Sequence, residues 1–236
     1  GFDMEELVRV LSSMKRAADA AGVSIVTGDT KVVPRGNADR LFINTSGIGL
    51  LKNGPARSSI VPGDSIIING FVGDHGIAVM AERNGLSFTR GLVSDCAPVN
   101  RLVEAVMERF AGDIRFMRDP TRGGVASVLN EMVKAMPFGA RLSEADIPVR
   151  DEVRGACEIL GIDPLYAANE GKVLMVAGHE RAGEILAVMR ATPWGRDAAI
   201  IGDITGEYPG KAYLRTAIGG ERILPLLLDE QLPRIC

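Results

Sequence analysis

The sequence predicts an α/β (α+β) protein in which mixed sheets are covered by helices. Amphipathic helical patterns alternate with short apolar runs of strand length, but without a strict βαβ rhythm, which favours a mixed sheet over a purely parallel one. The 28 glycines among 236 residues, with an aromatic content of only 5%, indicate many tight turns. A hydrophobic content of 46% is enough for one large core or two smaller ones.

The N-terminal 54 residues predict one helix and two strands. Asp3 can cap a helix whose apolar face continues until Gly22 ends it. Residues 23–26 and 40–51 have the composition of strands. One helix and two strands cannot close a sheet layer. We therefore expect residues 1–54 to be the remainder of an N-terminal domain whose first strands precede this chain.

A second domain is predicted for residues 55–225, because turn signals cluster between residues 53 and 64. Strand patterns follow at 65–69, 172–177, 198–204, 211–216 and 222–224, and helical patterns at 75–83, 98–110, 125–135, 150–160 and 181–189. The pattern ends at residue 226. Pro233 prevents a regular continuation, so residues 226–236 are predicted to be a flexible tail that ends in the thiol of Cys236.

Composition excludes several classes of function. No apolar run approaches the roughly 20 residues of a membrane span, and the N-terminus lacks a signal-peptide layout, so we expect a cytoplasmic protein that does not contact membranes. The net charge of −3 includes no basic run, which argues against nucleic-acid binding. The two histidines have no ligand neighbours at metal-site spacing, so a zinc site is not expected.

Three polar motifs could handle phosphate. In residues 27–31, TGDTK, the carboxylate of Asp29 follows a predicted strand, where carboxylates can hold Mg²⁺ on a nucleotide; the alternative is a simple turn. Residues 118–124, RDPTRGG, combine two arginines with a helix start, and the alternative is a solvated loop. The glycines at 70, 73 and 76 could expose N–H groups to an anion, or could only allow close packing.

Two further residues, Glu170 and Cys236, are candidates for a catalytic base and a carrier thiol. Glu170, in the segment ANEGK, precedes a buried strand, where a partly desolvated carboxylate could act as a base; alone it could equally be a strand-edge residue. Cys236 could serve as a carrier thiol on its arm, although an isolated terminal thiol is usually incidental. Cys96 and Cys157 fall in helical, partly apolar patterns and are expected to be inert packing residues.

The ordered set VTGDTKVV, GDHGIAVMAER, RDPTRGG, ANEGK and the terminal PRIC resembles the HypE family of hydrogenase maturation proteins, essentially from end to end. That family belongs to the superfamily of aminoimidazole ribonucleotide (AIR) synthetase, selenophosphate synthetase and thiamine monophosphate kinase. The resemblance implies an AIR synthetase-like two-domain architecture with an incomplete N-terminal domain, a homodimer formed through the N-terminal domains, and ATP bound near that interface.

The resemblance also implies an activity. A carbamoyltransferase, HypF, places a carbamoyl group on Cys236, and ATP then drives dehydration of the thiocarboxamide to a thiocyanate. The cyanide passes to iron on a HypC–HypD complex during assembly of the [NiFe] hydrogenase centre. Glu170 is then the base and Lys31 the cation beside it. Asp29 is a ligand of Mg²⁺ together with residues upstream of this chain, and the phosphate-side residues are Asp29, Thr30, Asp119, Thr121 and Arg122.

Two other interpretations remain open from the sequence. A small-molecule ATP-dependent kinase or synthetase of the same superfamily would not need Cys236. A non-catalytic carrier module would present a carbamoylated tail to its partners and would hydrolyse no ATP.

Overall fold

A computed structural model describes residues 2–50, 60–85 and 91–227. The chain divides into two compact units, Gly1–Lys52 and Asn53–Cys236. Asp29, Thr30 and Lys31 belong to the first unit, and Glu170 and the RDPTRGG segment belong to the second.

In the first unit, helix α1 (Met4–Ala21) forms as predicted. The Asp3 carboxylate accepts hydrogen bonds from the N–H groups of Glu5 and Glu6, and Gly22 ends the helix in the left-handed conformation at φ 68°. The two predicted strands are wrong, since residues 23–26 and the described residues 40–50 are irregular. A strand is stabilised by hydrogen bonds to a neighbouring strand, and the described part of this unit offers none.

The second unit is built on one mixed sheet of seven strands in the order β2-β4-β1-β5-β3-β6-β7. Only the β3–β6 pair is parallel, and the other neighbours are antiparallel. The strands are β1 (Ser65–Ile68), β2 (Ile114–Arg118), β3 (Gly139–Ser143), β4 (Leu174–Ala177), β5 (Ala199–Thr205), β6 (Ala212–Arg215) and β7 (Glu221–Leu224). The predicted mixed sheet is therefore confirmed, and β2 and β3 are strands that the sequence patterns missed.

Five helices surround this sheet in the described residues: α2 (Asp74–Arg83), α3 (Asn100–Phe110), α4 (Gly124–Val133), α5 (Asp151–Leu160) and α6 (His179–Arg190). Side chains of the central strands alternate between two cores. Ile66 and Ile68 pack with α4 residues such as Leu129, whereas Ile67 packs with α3 and α6. Burial on both faces explains why β4 and residues 66–68 of β1 are entirely apolar.

Candidate functional site

A cavity of about 430 Å³ opens where the chain leaves β2 and enters α4. Its wall contains Glu170, from the segment before β4, together with all three predicted phosphate-side residues of the RDPTRGG segment. The lining residues are Arg118, Asp119, Thr121, Arg122, Val128, Glu131 and Glu170. The structure thus brings together two motifs that lie about 50 residues apart in the sequence.

The buried amide of Asn169 joins these two motifs. Asn169 is fully buried, and its Nδ2 donates hydrogen bonds to the carbonyls of Pro120 at 3.0 Å and Ala167 at 3.0 Å. Its Oδ1 accepts the Gly73 N–H at 2.8 Å. Because both donors and the acceptor are used, the amide fixes the Pro120 loop directly beside Glu170.

Two glycines shape the start of α4 at the cavity. Gly123 and Gly124 have φ values of 68° and 60°, the left-handed region that side chains disfavour. A Cβ on Gly124 would lie 2.5 Å from the Leu165 carbonyl oxygen and 2.6 Å from that of Ala167, so the backbones are in direct contact. Helix α4 begins at Gly124, two residues after Arg122. The N–H groups of its first turn favour an anion at this position.

Gly124→Ala is accordingly expected to destabilise the protein by about 2–4 kcal/mol, since it combines left-handed strain with a clash against fixed backbone. Gly155 lies inside α5 with no atom within 4 Å of a built Cβ, which makes it the matched control. Gly155→Ala should stabilise by roughly 0.5–1 kcal/mol. Urea unfolding of both variants checks the pair, and a similar shift for the two would contradict the packing explanation.

Glu170 has a buried carboxylate oxygen, Oε1, that lacks a hydrogen-bond partner among the described residues. Its side chain is half-buried. Its backbone N–H, by contrast, donates to Asp95 Oδ1 at 3.0 Å. A carboxylate whose oxygen is removed from water and left unpaired is suited to accept a proton from a bound molecule.

The other charges of the cavity are partly compensated. Arg118 pairs with Glu131, and both are about half exposed. Asp119 and Arg122 are exposed, and Thr121 is intermediate. An anionic ligand would therefore meet an accessible guanidinium, a hydroxyl and the start of α4.

The last described residues of the chain, up to Leu227, lie next to the start of α4. Tyr166 Oη donates to the Pro225 carbonyl at 2.8 Å, and Asn130 Nδ2 donates to the Leu224 carbonyl at 2.9 Å. A Cβ on Gly123 would lie 3.8 Å from Leu227 Cδ1, so the last described residue contacts the start of α4. Cys236 itself lies outside the described residues.

The remaining predicted site residues are in the first unit. Asp29, Thr30 and Lys31 are all exposed, and Asp29 Oδ1 accepts the Thr30 N–H at 2.8 Å. Among the described residues, no group of three or more His, Cys, Asp or Glu side chains could hold a metal ion. Asp29 can supply one oxygen to a cation, and any other ligands must come from elsewhere.

The two other cysteines differ from each other. Cys157 is buried in α5, and burial raises the pKa of its thiol to about 11, so it remains protonated and unreactive at neutral pH. The prediction for Cys96 is wrong, because Cys96 is exposed in an irregular segment and not packed in a helix. The apolar residues around Cys96 have the spacing of a helix, but α3 begins only at Asn100.

The glycine motif at 70, 73 and 76 serves packing. A Cβ on Gly73 would lie 3.1 Å from Val153 Cγ1 and 3.5 Å from Ala167 Cβ, so this turn is pressed against α5. The Gly73 N–H is occupied by Asn169. The close-packing alternative, not anion binding, therefore accounts for this motif.

A second cavity, of about 590 Å³, includes Gly171 and Lys172 of the ANEGK segment in its wall. It contains Asp74, whose pKa is raised by burial despite the opposing hydrogen bond and charge of Arg150. It also contains a buried ion pair between Lys172 and Asp95. Asp95 and Asn169 are the residues that sequence reasoning missed, since their partners are distant in the chain.

Comparisons with known proteins agree with this architecture. The family AIR synthase related protein, C-terminal domain, matches residues 61–215, and the corresponding N-terminal domain family matches residues 1–51. Carbamoyl dehydratase HypE from Rhodobacter capsulatus is 46% identical over 238 aligned positions, which cover 100% of this chain and 70% of that protein. This chain belongs to the HypE family of carbamoyl dehydratases.

Solved structures of HypE proteins share the fold. A chain of a HypE–HypF complex superposes with a TM-score of 0.89 at 44% identity, covering 95% of this chain and 73% of that one. A HypE structure in complex with ATP gives a TM-score of 0.87 at 42% identity, covering 100% of this chain and 72% of that one. No helix in the described ranges is both long and apolar enough to cross a membrane.

Proposed function

We propose that this chain carries the carbamoyl dehydratase activity of its family, with ATP as phosphoryl donor and the thiocarboxamide of Cys236 as substrate. The observation that carries the proposal is the half-buried Glu170 carboxylate, with no hydrogen-bond partner on its buried Oε1, in the wall of the cavity that Asp119, Thr121 and Arg122 also line. A free carboxylate oxygen and a phosphate-binding surface are the two elements that an ATP-driven dehydration needs.

The reaction requires an activated oxygen and a base. The amide oxygen of the thiocarboxamide attacks the γ-phosphorus of ATP, which releases ADP and forms an O-phosphorylated intermediate. Removal of the nitrogen protons then forms the C≡N bond as the C–O bond breaks, and phosphate leaves with the former amide oxygen. The products are a thiocyanate on the cysteine, ADP and phosphate, and one water equivalent is lost from the thiocarboxamide.

Glu170 is proposed as the base that accepts a nitrogen proton. Its unpaired oxygen supports this role, since a base must lie within hydrogen-bond reach of the proton that it takes. Lys31 is proposed as the cation that orients Glu170 or shares in the proton transfers. The assignment of Lys31 depends on the family resemblance, because Lys31 belongs to the first unit and the cavity to the second.

The phosphate side is assigned to residues around the cavity and in the TGDTK motif. Thr121 and Arg122 can donate to phosphate oxygens at the start of α4, while Asp119 can orient Arg122 or a bound cation. Asp29 and Thr30 are proposed to bind the phosphates from the first unit. Mg²⁺ would neutralise phosphate charge, and Asp29 could supply one carboxylate ligand beside phosphate and water.

The anchoring of Pro225 and Leu227 near the cavity supports Cys236 as the acceptor. Nine residues, 228–236, follow Leu227. A stretch of that length spans at most about 30 Å when extended, which is enough to bring a terminal thiol from the start of α4 to Glu170.

The partners and domain roles are proposed from the family. The existence of a HypE–HypF complex supports HypF as the carbamoyl donor, and we propose HypC–HypD as the cyanide acceptor. Residues 1–54 are proposed as part of an ATP-binding domain that forms a homodimer. Residues 55–225 are proposed as the C-terminal AIR synthetase-like domain, and residues 226–236 as a flexible tail that carries the acceptor cysteine.

Intact-mass spectrometry of the protein tests the activity. Incubation with HypF, carbamoyl phosphate and ATP should add a carbamoyl group, and the carbamoylated species should then become lighter by one water as ADP is released. A carbamoylated protein that never loses water and releases no ADP would indicate the carrier module instead. ATP turnover without any modification of Cys236 would indicate a small-molecule kinase or synthetase.

A further inference from the structure

The backbone of Glu170 is held by a carboxylate from a distant loop. Asp95 lies between α2 and α3, and its side chain is only 4% exposed. Its Oδ1 accepts the Glu170 N–H at 3.0 Å, while its Oδ2 lies 2.9 Å from Lys172 Nζ. One carboxylate therefore contacts the residues on both sides of Gly171.

The two segments are also in direct backbone contact. A Cβ on Gly171 would lie 1.8 Å from the Asp95 carbonyl oxygen and 3.0 Å from Ala97 Cβ. Asn69 adds a second attachment, since its Nδ2 donates to the Gly171 carbonyl and its Oδ1 accepts the Val173 N–H. Because β4 begins only at Leu174, side chains and not a strand ladder hold this segment.

We propose that Asp95 is a positioning residue for dehydration, which fixes the Glu170 backbone so that the Glu170 carboxylate stays in the wall of the cavity. This inference depends on the proposed function of Glu170 as the base. Asp95 contacts neither the substrate nor ATP in this proposal. It acts only through the hydrogen bond to the Glu170 N–H and through the packing of Gly171.

The ion pair and the hydrogen bond of Asp95 have separable consequences. A buried ion pair is weak evidence for stability, because desolvating both charges offsets most of their attraction. The Lys172 contact is close, but it is not directed as a hydrogen bond at Asp95 Oδ2. Loss of the acceptor for the Glu170 N–H, in contrast, would release the base itself, and a misplacement of about 1 Å can slow a reaction by roughly 100-fold.

A pair of double variants separates the two contributions. Asp95→Asn with Lys172→Met removes both charges and keeps an acceptor for the Glu170 N–H. Asp95→Leu with Lys172→Met removes both charges and the acceptor at similar volume. We call these double variants the Asn pair and the Leu pair. We expect the Asn pair to dehydrate carbamoylated Cys236 roughly 10- to 100-fold faster than the Leu pair. Both should accept carbamoyl from HypF at similar rates.

Asp203→Leu with Arg141→Met is the control. It removes a bidentate pair at 3.0 Å between β3 and β5 that lines neither cavity, so dehydration should keep its wild-type rate. Thermal unfolding is measured first, and Asp95→Ala with Lys172→Met replaces the Leu pair if that pair does not fold. Hydrogen exchange of the Glu170 amide should be faster in the Leu or Ala pair than in the Asn pair.

Two outcomes overturn the inference in distinguishable ways. Equal dehydration rates for the Asn and Leu pairs, or a further loss of the same size when the Leu pair is combined with Glu170→Gln, would mean that Asp95 does not act through Glu170. The base role of Glu170 would survive either result. A wild-type rate for Glu170→Gln alone would instead contradict the proposed function and this inference with it.

Discussion

Cys236→Ala should abolish carbamoyl acceptance completely while leaving the fold intact. The thiol is the atom that receives the carbamoyl group in the proposed reaction, and alanine offers no nucleophile in its place. The described core closes without residue 236, since its buried residues all lie before residue 225. Intact-mass spectrometry after incubation with HypF, carbamoyl phosphate and ATP should therefore find only unmodified protein. A separate thermal unfolding experiment should give the wild-type unfolding temperature.

Cys96→Ala is the matched control for this experiment. Cys96 is exposed and could be labelled incidentally, whereas the raised pKa of Cys157 keeps that thiol protonated and unreactive at neutral pH. The Cys96→Ala variant should be carbamoylated and dehydrated normally. Carbamoyl label retained on Cys236→Ala but lost on the further replacement of Cys96 would move the acceptor to residue 96.

Glu170→Gln should stop the reaction one step later, with carbamoylated Cys236 accumulating. Glutamine keeps the shape of the side chain and removes its ability to accept a proton. Because general-base catalysis typically contributes 10²- to 10⁴-fold, we expect dehydration to slow by roughly that factor. Carbamoyl transfer should be unaffected, because it requires an accessible thiol and no base in this cavity. A time course of intact masses after ATP addition measures both steps.

Glu131→Gln distinguishes a specific base from a general loss of negative charge. Glu131 lines the same cavity, but its carboxylate is already paired with Arg118. The Glu131→Gln variant should dehydrate carbamoylated Cys236 at least ten times faster than the Glu170→Gln variant does. If both variants stalled equally, the cavity would need its total charge and no particular carboxylate would be the base. If neither stalled, Glu170 would be an ordinary residue at the start of a strand.

The elements that the sequence predicted correctly are those with a strong local pattern. β4 and residues 66–68 of β1 are continuous apolar runs because both of their faces are buried, and α1 has a capping residue at each end. β2 was missed because IRFMR lies at the edge of the sheet and keeps two arginines. β3 was missed because Arg141 in GARLS is balanced by Asp203 on β5, a partner that no local pattern reveals.

The same limit applies to the candidate site. Glu170 and the RDPTRGG loop were recognisable because their residue types suit proton transfer and phosphate binding, and the structure brings them to one cavity. Asn169 and Asp95 act through hydrogen bonds to residues 49 and 75 positions away. Such contacts have no sequence period. The predicted strands at 23–26 and 40–51 failed for the opposite reason, since their composition was suitable but residues 2–50 contain no strand for them to pair with.

The anchoring of the chain at Tyr166 and Asn130 has a kinetic consequence. A short tether whose root is fixed beside a cavity presents its end group at an effective concentration in the millimolar range, without any binding affinity of its own. Dehydration should then be first order in carbamoylated protein and independent of dilution. In the proposed reaction, a free thiocarbamate of the same chemistry would need millimolar concentrations to compete with the thiocarbamate on Cys236.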